Sequence, residues 1–260
     1  MSQKSSAKTL CWHDGGVGFQ EEDTLSLFEL SLFESDRPLG RIARLPLRLL
    51  PRDAVVPVLG GELRGCHWIV GSGHYRCWMG WFELCKQHAV ARLLRPGAVF
   101  YDVGAHAGFY SLLAARKGCR VFAFEPSPRN ISMLKQHVAL NHLNVEVIEA
   151  AVADHDGTVV FDVGPNTYMG SLADRGELQV KVVSLDALKI PPPDFVKIDI
   201  EGGEYGALMG AARVIKENKP TVFLATHGAA MRERCPALLR SWNFEVTQLE
   251  APDEWIATPL

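Results

Sequence analysis

The sequence predicts an α/β fold: a mostly parallel sheet with helices on both faces, preceded by a helix/strand extension. Three observations carry this expectation. From Ala98 onward, apolar β-rich runs alternate with segments of helical spacing, the pattern of parallel strands joined by crossover helices. Runs such as residues 121–124 are continuously apolar, as strands covered on both faces require. The 260 residues are enough for one large core, and no internal repeat or low-complexity tract divides them.

In chain order, residues 1–20 are polar and are expected to form a mobile tail. Residues 21–95 form the extension. Within it, residues 21–34 place Leu25, Phe28, Leu32 and Phe33 at roughly helical spacing. Residues 41–50 are basic and apolar but interrupted by Pro46, and read as packing on the domain. Residues 54–59 and 63–70 read as two strands joined by Gly60-Gly61. Residues 81–94 read as a helix stopped by Pro96-Gly97. The aromatic-rich stretch 73–83 reads first as core, with a lid over an acceptor pocket as the alternative. Residues 96–260 form the main domain. Strands are expected at 98–103, 120–124, 145–149, 195–200, 221–225, 245–249 and 255–258, and helices at 109–117, 128–140, 204–216 and 231–242. Residues 158–163 and 179–183 read as extra strands inside a long insertion, whose residues 166–171 are a candidate wall of the acceptor pocket.

Composition excludes several classes. The formal net charge of −3 offers no electrostatic footprint for a polyanion, so nucleic acid is not expected as a partner. No stretch approaches the ~18 apolar residues of a membrane span, and the N-terminus has no apolar signal core. The expectation is a cytoplasmic protein without stable membrane insertion. None of the six cysteines has CxxC spacing, so neither a zinc site nor a disulfide framework is expected. Oligomeric state is not legible.

The most informative segment is residues 99–109, VFYDVGAHAGF. An apolar strand runs into a glycine turn that opens a helix. Gly104 permits a tight turn and close approach to a ligand, and Gly108 lets the helix start pack closely. In open α/β sheets the ligand crevice lies beyond the carboxyl ends of the strands, where this turn sits. A dinucleotide site wants G-x-G-x-x-G, but the residue two after Gly104 is His106, which disfavours a nicotinamide dehydrogenase. An anionic Asp102 before the turn suits a ligand with a cationic amino group. The next strand ends in Glu125, a carboxylate placed to accept from both hydroxyls of an adenosine ribose. The third strand ends in small residues, 150–154, against which an adenine can lie.

These residues resemble the FkbM family of S-adenosylmethionine-dependent methyltransferases over roughly residues 53–250. The carriers are DVGAHAGFYS (102–111), FAFEPSPRN (122–130), AAVADHDG (150–157) and VKIDIEGGE (196–204). The resemblance implies a class I methyltransferase fold, Rossmann-like and seven-stranded, with the last strand inserted antiparallel. Residues 96–260 would then be the S-adenosylmethionine-binding catalytic domain. Carried onto matching positions, Asp102, Gly104, Ala105, His106 and Gly108 would line the methionine part and the turn. Glu125 would hold the ribose, Ser127 would lie near it, and Val152 would lie by the adenine. His106 stands where the family often has Asn, and residues 223–227 lack the Glu that many members carry before a His.

Chemistry is expected at the ends of the next two strands. Alternation puts Lys197, Asp199 and Glu201 on one side of an extended chain. The bland reading pairs Lys197 with Asp199 or Glu201 and leaves Glu204 as a helix-start carboxylate; for Asp199 and Glu201 a functional role is favoured. His227 follows the strand at 221–226 and faces the same crevice. It is the expected base for an acceptor hydroxyl, titrating near the ordinary histidine pKa of roughly 6.5. The alternative is a divalent cation, magnesium, held by Asp199 and Glu201. The leading expectation is O-methylation of a hydroxyl on a small-molecule or glycan acceptor, such as a sugar or other natural product. The alternatives are an N-methyltransferase of another small molecule and a non-catalytic methyltransferase-like binding module.

Overall fold

Strands whose side chains are buried on both faces can only sit between two layers of helix, and the structure places them there. It is a computed structural model that describes residues 12–13, 16–17, 49–162, 171–172, 178–249 and 251–260. The helical spacing read at 21–34, most of the 41–50 segment and most of the 163–177 insertion lie outside the described residues. Within the leading residues, β1 (Trp12–His13) and β2 (Gly16–Val17) pair antiparallel.

The extension contributes the antiparallel hairpin β3 (Val55–Pro57) and β4 (His67–Ile69), then α1 (Tyr75–Met79) and α2 (Leu84–Leu93). The helix expected at 81–94 therefore starts later, and a separate short helix precedes it. The break is at Gly80, whose φ of 87° ends α1 and whose Cα lies so close to Gly60 that a Cβ would fall 2.2 Å from its carbonyl.

The main domain runs β5 (Val99–Val103), α3 (Phe109–Arg116), β6 (Arg120–Phe124), α4 (Pro128–Leu140) and β7 (Val145–Ile148). The chain then leaves the main sheet. A second sheet of four strands, β8 (Ala151–Val152), β9 (Gly157–Asp162), β10 (Ser171–Leu172) and β11 (Leu178–Val183), has the order β10-β9-β11-β8. The chain returns with β12 (Phe195–Ile198), α5 (Glu204–Met209), α6 (Ala212–Asn218), β13 (Thr221–Ala225), α7 (Ala229–Ser241), β14 (Phe244–Gln248) and β15 (Glu254–Pro259). The main sheet has the order β14-β15-β13-β12-β5-β6-β7, with β15 antiparallel to both neighbours and β5, β6, β7, β12 and β13 parallel. This is the seven-stranded arrangement expected from the resemblance.

One expected helix, 204–216, is two. Gly210 sits where a Cβ would lie 1.9 Å from the Ala153 carbonyl oxygen. Its own carbonyl accepts from Asp186 N–H and Ser184 Oγ. The close backbone approach and these competing bonds interrupt the helix.

Alternation along the strands divides the core. Phe100, Val121, Phe195 and Phe223 face one layer; Tyr101, Phe122, Val196 and Val222 face the other. The first layer is completed by the extension: Leu63, Trp68, Trp78, Val90 and Ala91 belong to the same buried cluster. Trp78 is buried and Phe82 packs edge-on against Phe109, so these aromatic rings serve the core. His137 of α4 ties the extension's hairpin to the β5–α3 turn within the first layer. Its Nε2 accepts from Ile69 N–H at 3.0 Å, its Nδ1 lies 2.8 Å from the Ala107 carbonyl, and its ring stacks on Trp68 at 4.0 Å. Burial pushes its pKa down to about 4, the Ala107 bond opposing, so it bridges as neutral imidazole. Cys66, Cys77, Cys119 and Cys235 are buried free thiols. No helix among the described residues is long and apolar enough to cross a membrane.

Candidate active site

Parallel strands bring their carboxyl ends to one edge, and in this sheet the adjacent ends of β6, β5, β12 and β13 carry Glu125, Gly104, Asp199 and His227. The turn after β5 is fixed first by its glycines. Gly104 has φ +78°, and a Cβ there would lie 2.0 Å from the Asp199 carbonyl oxygen. The close approach is therefore to the neighbouring strand end of the chain itself. A valine at Gly104 would displace that strand end, so it tests the turn's packing rather than ligand contact. Gly108 has φ +93°, and a Cβ would meet Leu134 Cδ1 at 2.2 Å. That glycine lets α3 start against α4, as its position suggests.

Asp102 does not face the crevice. Its side chain is fully buried, accepts from Ser111 Oγ at 2.6 Å, and pairs with Lys197 Nζ at 3.1 Å. Lys197 also donates to the Gly104 carbonyl at 2.9 Å. This corrects the placement of Asp102 along the ligand: a carboxylate in a closed core is held only with an internal counterion, and here it braces the turn from beneath. Lys197 also forms the expected ion pair with Asp199, at 3.8 Å, but Asp102 is its nearer carboxylate.

Glu125 stands at the tip of β6, 5% exposed. Its Oε2 accepts from His106 N–H at 2.8 Å; its Oε1 accepts from Ser127 N–H at 3.0 Å and Asn130 Nδ2 at 3.2 Å. Burial raises its pKa, and these bonds pull it back. His106 takes a positive φ of 50° to present its N–H. Glu125, His106 and Ser127 thus form one hydrogen-bonded group beside Ala105. Val152 is 2% exposed in the core cluster with Tyr101 and Phe124. Its side chain faces inward, so the adenine-side contact carried onto it by resemblance has no exposed side chain to make it.

The third group is charged. His227 Nε2 lies 3.9 Å from Asp199 Oδ1 and 3.9 Å from Glu201 Oε2. Behind it, Nδ1 is bound to Glu204 Oε1 at 2.6 Å. The Glu204 hydrogen bond raises the His227 pKa; burial opposes it and Asp199 and Glu201 add to it, with a result of about 9. His227 is therefore largely imidazolium at neutral pH, against the ordinary value expected from sequence. Burial alone would raise the pKa of Asp199, but Lys197, Lys86 and His227 outweigh it and hold it down to about 2. Glu201, more exposed, is shifted up, mainly by partial burial.

The sequence thus brought Asp199, Glu201 and His227 together as neighbours and placed Glu204 rightly at a helix start, but gave it no part in the site. Glu204 is fully buried at the start of α5, and its Oε2 has no hydrogen-bond partner among the described residues. A helix-start carboxylate is ordinarily solvated; its burial against His227 depends on how α5 packs, which spacing does not encode. Lys86, from the extension, was also missed: it lies 3.6 Å from Asp199. The donor set fits a divalent cation poorly. Asp199 already faces two ammonium groups and an imidazolium, and a dication there would be repelled. Among the described residues no group of three or more His, Cys, Asp or Glu is arranged to hold a metal.

The family model described as the methyltransferase FkbM domain matches residues 102–256. The chain belongs to the FkbM methyltransferase family. The match spans the β5 turn, Glu125, Asp199 and His227. This FkbM-family methyltransferase is 25% identical over 186 residues to the hexuronic acid methyltransferase AglP of Haloferax volcanii, covering 67% of this chain and 77% of that protein. It is 38% identical over 66 residues to the 31-O-demethyl-FK506 methyltransferase FkbM of Streptomyces tacrolimicus, 25% of each chain. Among solved structures, methyltransferase FkbM from Methylobacillus flagellatus KT aligns with a TM-score of 0.48 and 23% identity; the alignment covers 64% of this chain and 45% of that one.

Proposed function

We propose that this chain is an S-adenosylmethionine-dependent O-methyltransferase acting on a hydroxyl of a sugar or glycan acceptor. The observation that carries the reading is His227, gripped at Nδ1 by buried Glu204 and presenting Nε2 between Asp199 and Glu201, beside the β5 turn. The sugar class is supported by the similarity to AglP across two thirds of the chain.

The residues present fit the cofactor. Glu125 keeps about one acceptor site beyond its three protein donors and stands at the strand end where a ribose lies in this fold class. Ala105, His106 and Gly108 shape the turn for the methionine part, and Ser127 flanks Glu125. When bound, S-adenosylmethionine supplies an electrophilic methyl group on a cationic sulfur. The carboxylates of Asp199 and Glu201 favour that positive charge nearby. An aliphatic hydroxyl attacks well only if its proton leaves as the new O–C bond forms. The neutral form of His227 accepts that proton at Nε2. Glu204 fixes the ring through Nδ1–H and stabilises the imidazolium that results. Asp199 orients the acceptor hydroxyl toward Nε2, and Glu201 closes the outer side.

Incubating the chain with S-adenosylmethionine and either glucuronic acid or methyl glucoside, with mass spectrometry and NMR of the product, tests the reading. Methylation of oxygen supports it. Methylation of an added amino sugar at nitrogen alone, or cofactor binding with no transfer to any of the three, overturns it.

Two expectations follow for single residues. Glu125→Ala lowers S-adenosylhomocysteine affinity by about tenfold or more, since each lost charge-assisted hydrogen bond is worth roughly 1.5–3 kcal/mol. Calorimetric titration reads this, and wild-type affinity would remove Glu125 from the cofactor site. Glu204→Gln removes the anion that favours the imidazolium, so the His227 pKa falls from about 9 toward its ordinary value. The rising limb of the pH–rate profile then levels at lower pH. A limb that stays in place would show that Glu204 does not tune His227.

A further inference from the structure

Lys86 enters the crevice from α2, outside the segment 102–256 that carries the family match. Its side chain is 4% exposed and is surrounded by carboxylates from three directions. Glu83 Oε2, just before α2, lies at 3.1 Å; Glu254 Oε1, opening β15, at 3.0 Å; and Asp199 Oδ2, after β12, at 3.6 Å. Tyr110 of α3 donates its hydroxyl to Glu83 Oε2 at 2.7 Å, and its ring lies 5.4 Å from Lys86 Nζ and 5.7 Å from Lys197 Nζ. A buried ammonium is tolerated only when paired, and here the surrounding anions keep it charged. Burial favours its neutral form, but Glu83, Asp199 and Glu254 together raise its pKa.

The two oxygens of Asp199 face different groups. Oδ2 faces Lys86 at 3.6 Å and Lys197 at 3.8 Å; Oδ1 faces His227 Nε2 at 3.9 Å. Lys197 is already committed to Asp102 at 3.1 Å and to the Gly104 carbonyl at 2.9 Å. Lys86, which bridges Asp199 to Glu83 and Glu254, is the nearer of the two ammonium groups to Oδ2. We propose that Lys86 is a positioning residue for methyl transfer: it anchors Asp199 through Oδ2 so that Oδ1 stays aimed at His227 and the acceptor. The extension then completes the active site instead of only covering the sheet. This inference rests on the roles proposed above for Asp199 and His227.

The test uses the full chain and two readouts. The first, NMR titration of the His227 imidazole, needs no acceptor. The groups facing His227 are Glu204 from α5 and Asp199 and Glu201 from the loop after β12; Lys86, Lys197, Glu254 and Glu83 act on it through or behind Asp199. Lys86→Met removes a cation and releases Asp199 toward His227, so the midpoint rises by about one pH unit. The second readout is turnover with S-adenosylmethionine and glucuronic acid, which falls by about 10²-fold with a misplaced acceptor. Lys86→Arg restores both. In an Asp199→Asn background, Lys86→Met costs no further turnover, because the carboxylate it positions is gone. An unchanged His227 midpoint in folded Lys86→Met, or an equal loss of turnover in both backgrounds, overturns the proposal. Wild-type turnover in Asp199→Asn instead overturns the role given to Asp199. If Lys86→Met does not fold, Lys86→Gln/Asp199→Asn removes one charge of each sign: turnover equal to Asp199→Asn supports the proposal, and a further loss overturns it.

Discussion

His227→Ala is expected to leave S-adenosylhomocysteine affinity unchanged and to cut turnover by about 10²–10⁴-fold, the range a positioned general base supplies. Its side chain is not part of the Glu125 group that the cofactor reading uses, so binding and turnover separate. The pH dependence carries a sign. The working form is neutral imidazole, and the pKa is about 9, raised by Glu204, Asp199 and Glu201. In the wild-type chain the rate therefore rises with pH up to about 9 and levels above it. His227→Ala removes that limb. A base of ordinary pKa would instead level near 6.5. A pH–rate profile of kcat/KM for both chains decides the matter. Wild-type turnover in His227→Ala would remove the histidine from the chemistry, and a wild-type plateau beginning near 6.5 would show that Glu204 does not act as its geometry requires.

Lys197→Met is expected to be the most destabilising single change in the sheet. Asp102 is fully buried and Lys197 is 4% exposed, at 3.1 Å from it. Removing the lysine strands a carboxylate in the core and frees the Gly104 carbonyl that Lys197 also binds. Breaking such a pair costs about 3–5 kcal/mol, read as a lowered denaturant midpoint at unchanged slope. Adding Asp102→Asn to Lys197→Met recovers part of the loss, because the uncompensated charge is gone. A Lys197→Met chain within about 1 kcal/mol of wild type would show that the pair does not brace the turn.

The fold class was legible because buried parallel strands must be apolar throughout and helices between them must be amphipathic. Residues 120–124 and 128–140 matched observed element bounds for that reason. The glycine turn and Glu125 were legible because local backbone demands and strand ends are written in short stretches of sequence. The grouping of Asp199, Glu201 and His227 followed from adjacent strand ends. Three features were decided by tertiary structure alone. Asp102 and Lys197 lie on neighbouring strands, and only their register at β5 and β12 shows that they pair inward. Glu204 became the partner of His227 because α5 packs its first turn against the residue after β13. Lys86 reached Asp199 and Glu254 because the extension folds over the same core layer as α3. Local spacing specifies which residues share a strand, a turn or a helix face. Which distant charges meet depends on the register and packing of elements far apart in the chain, and those meetings set the pKa of His227 and the hold on Asp199.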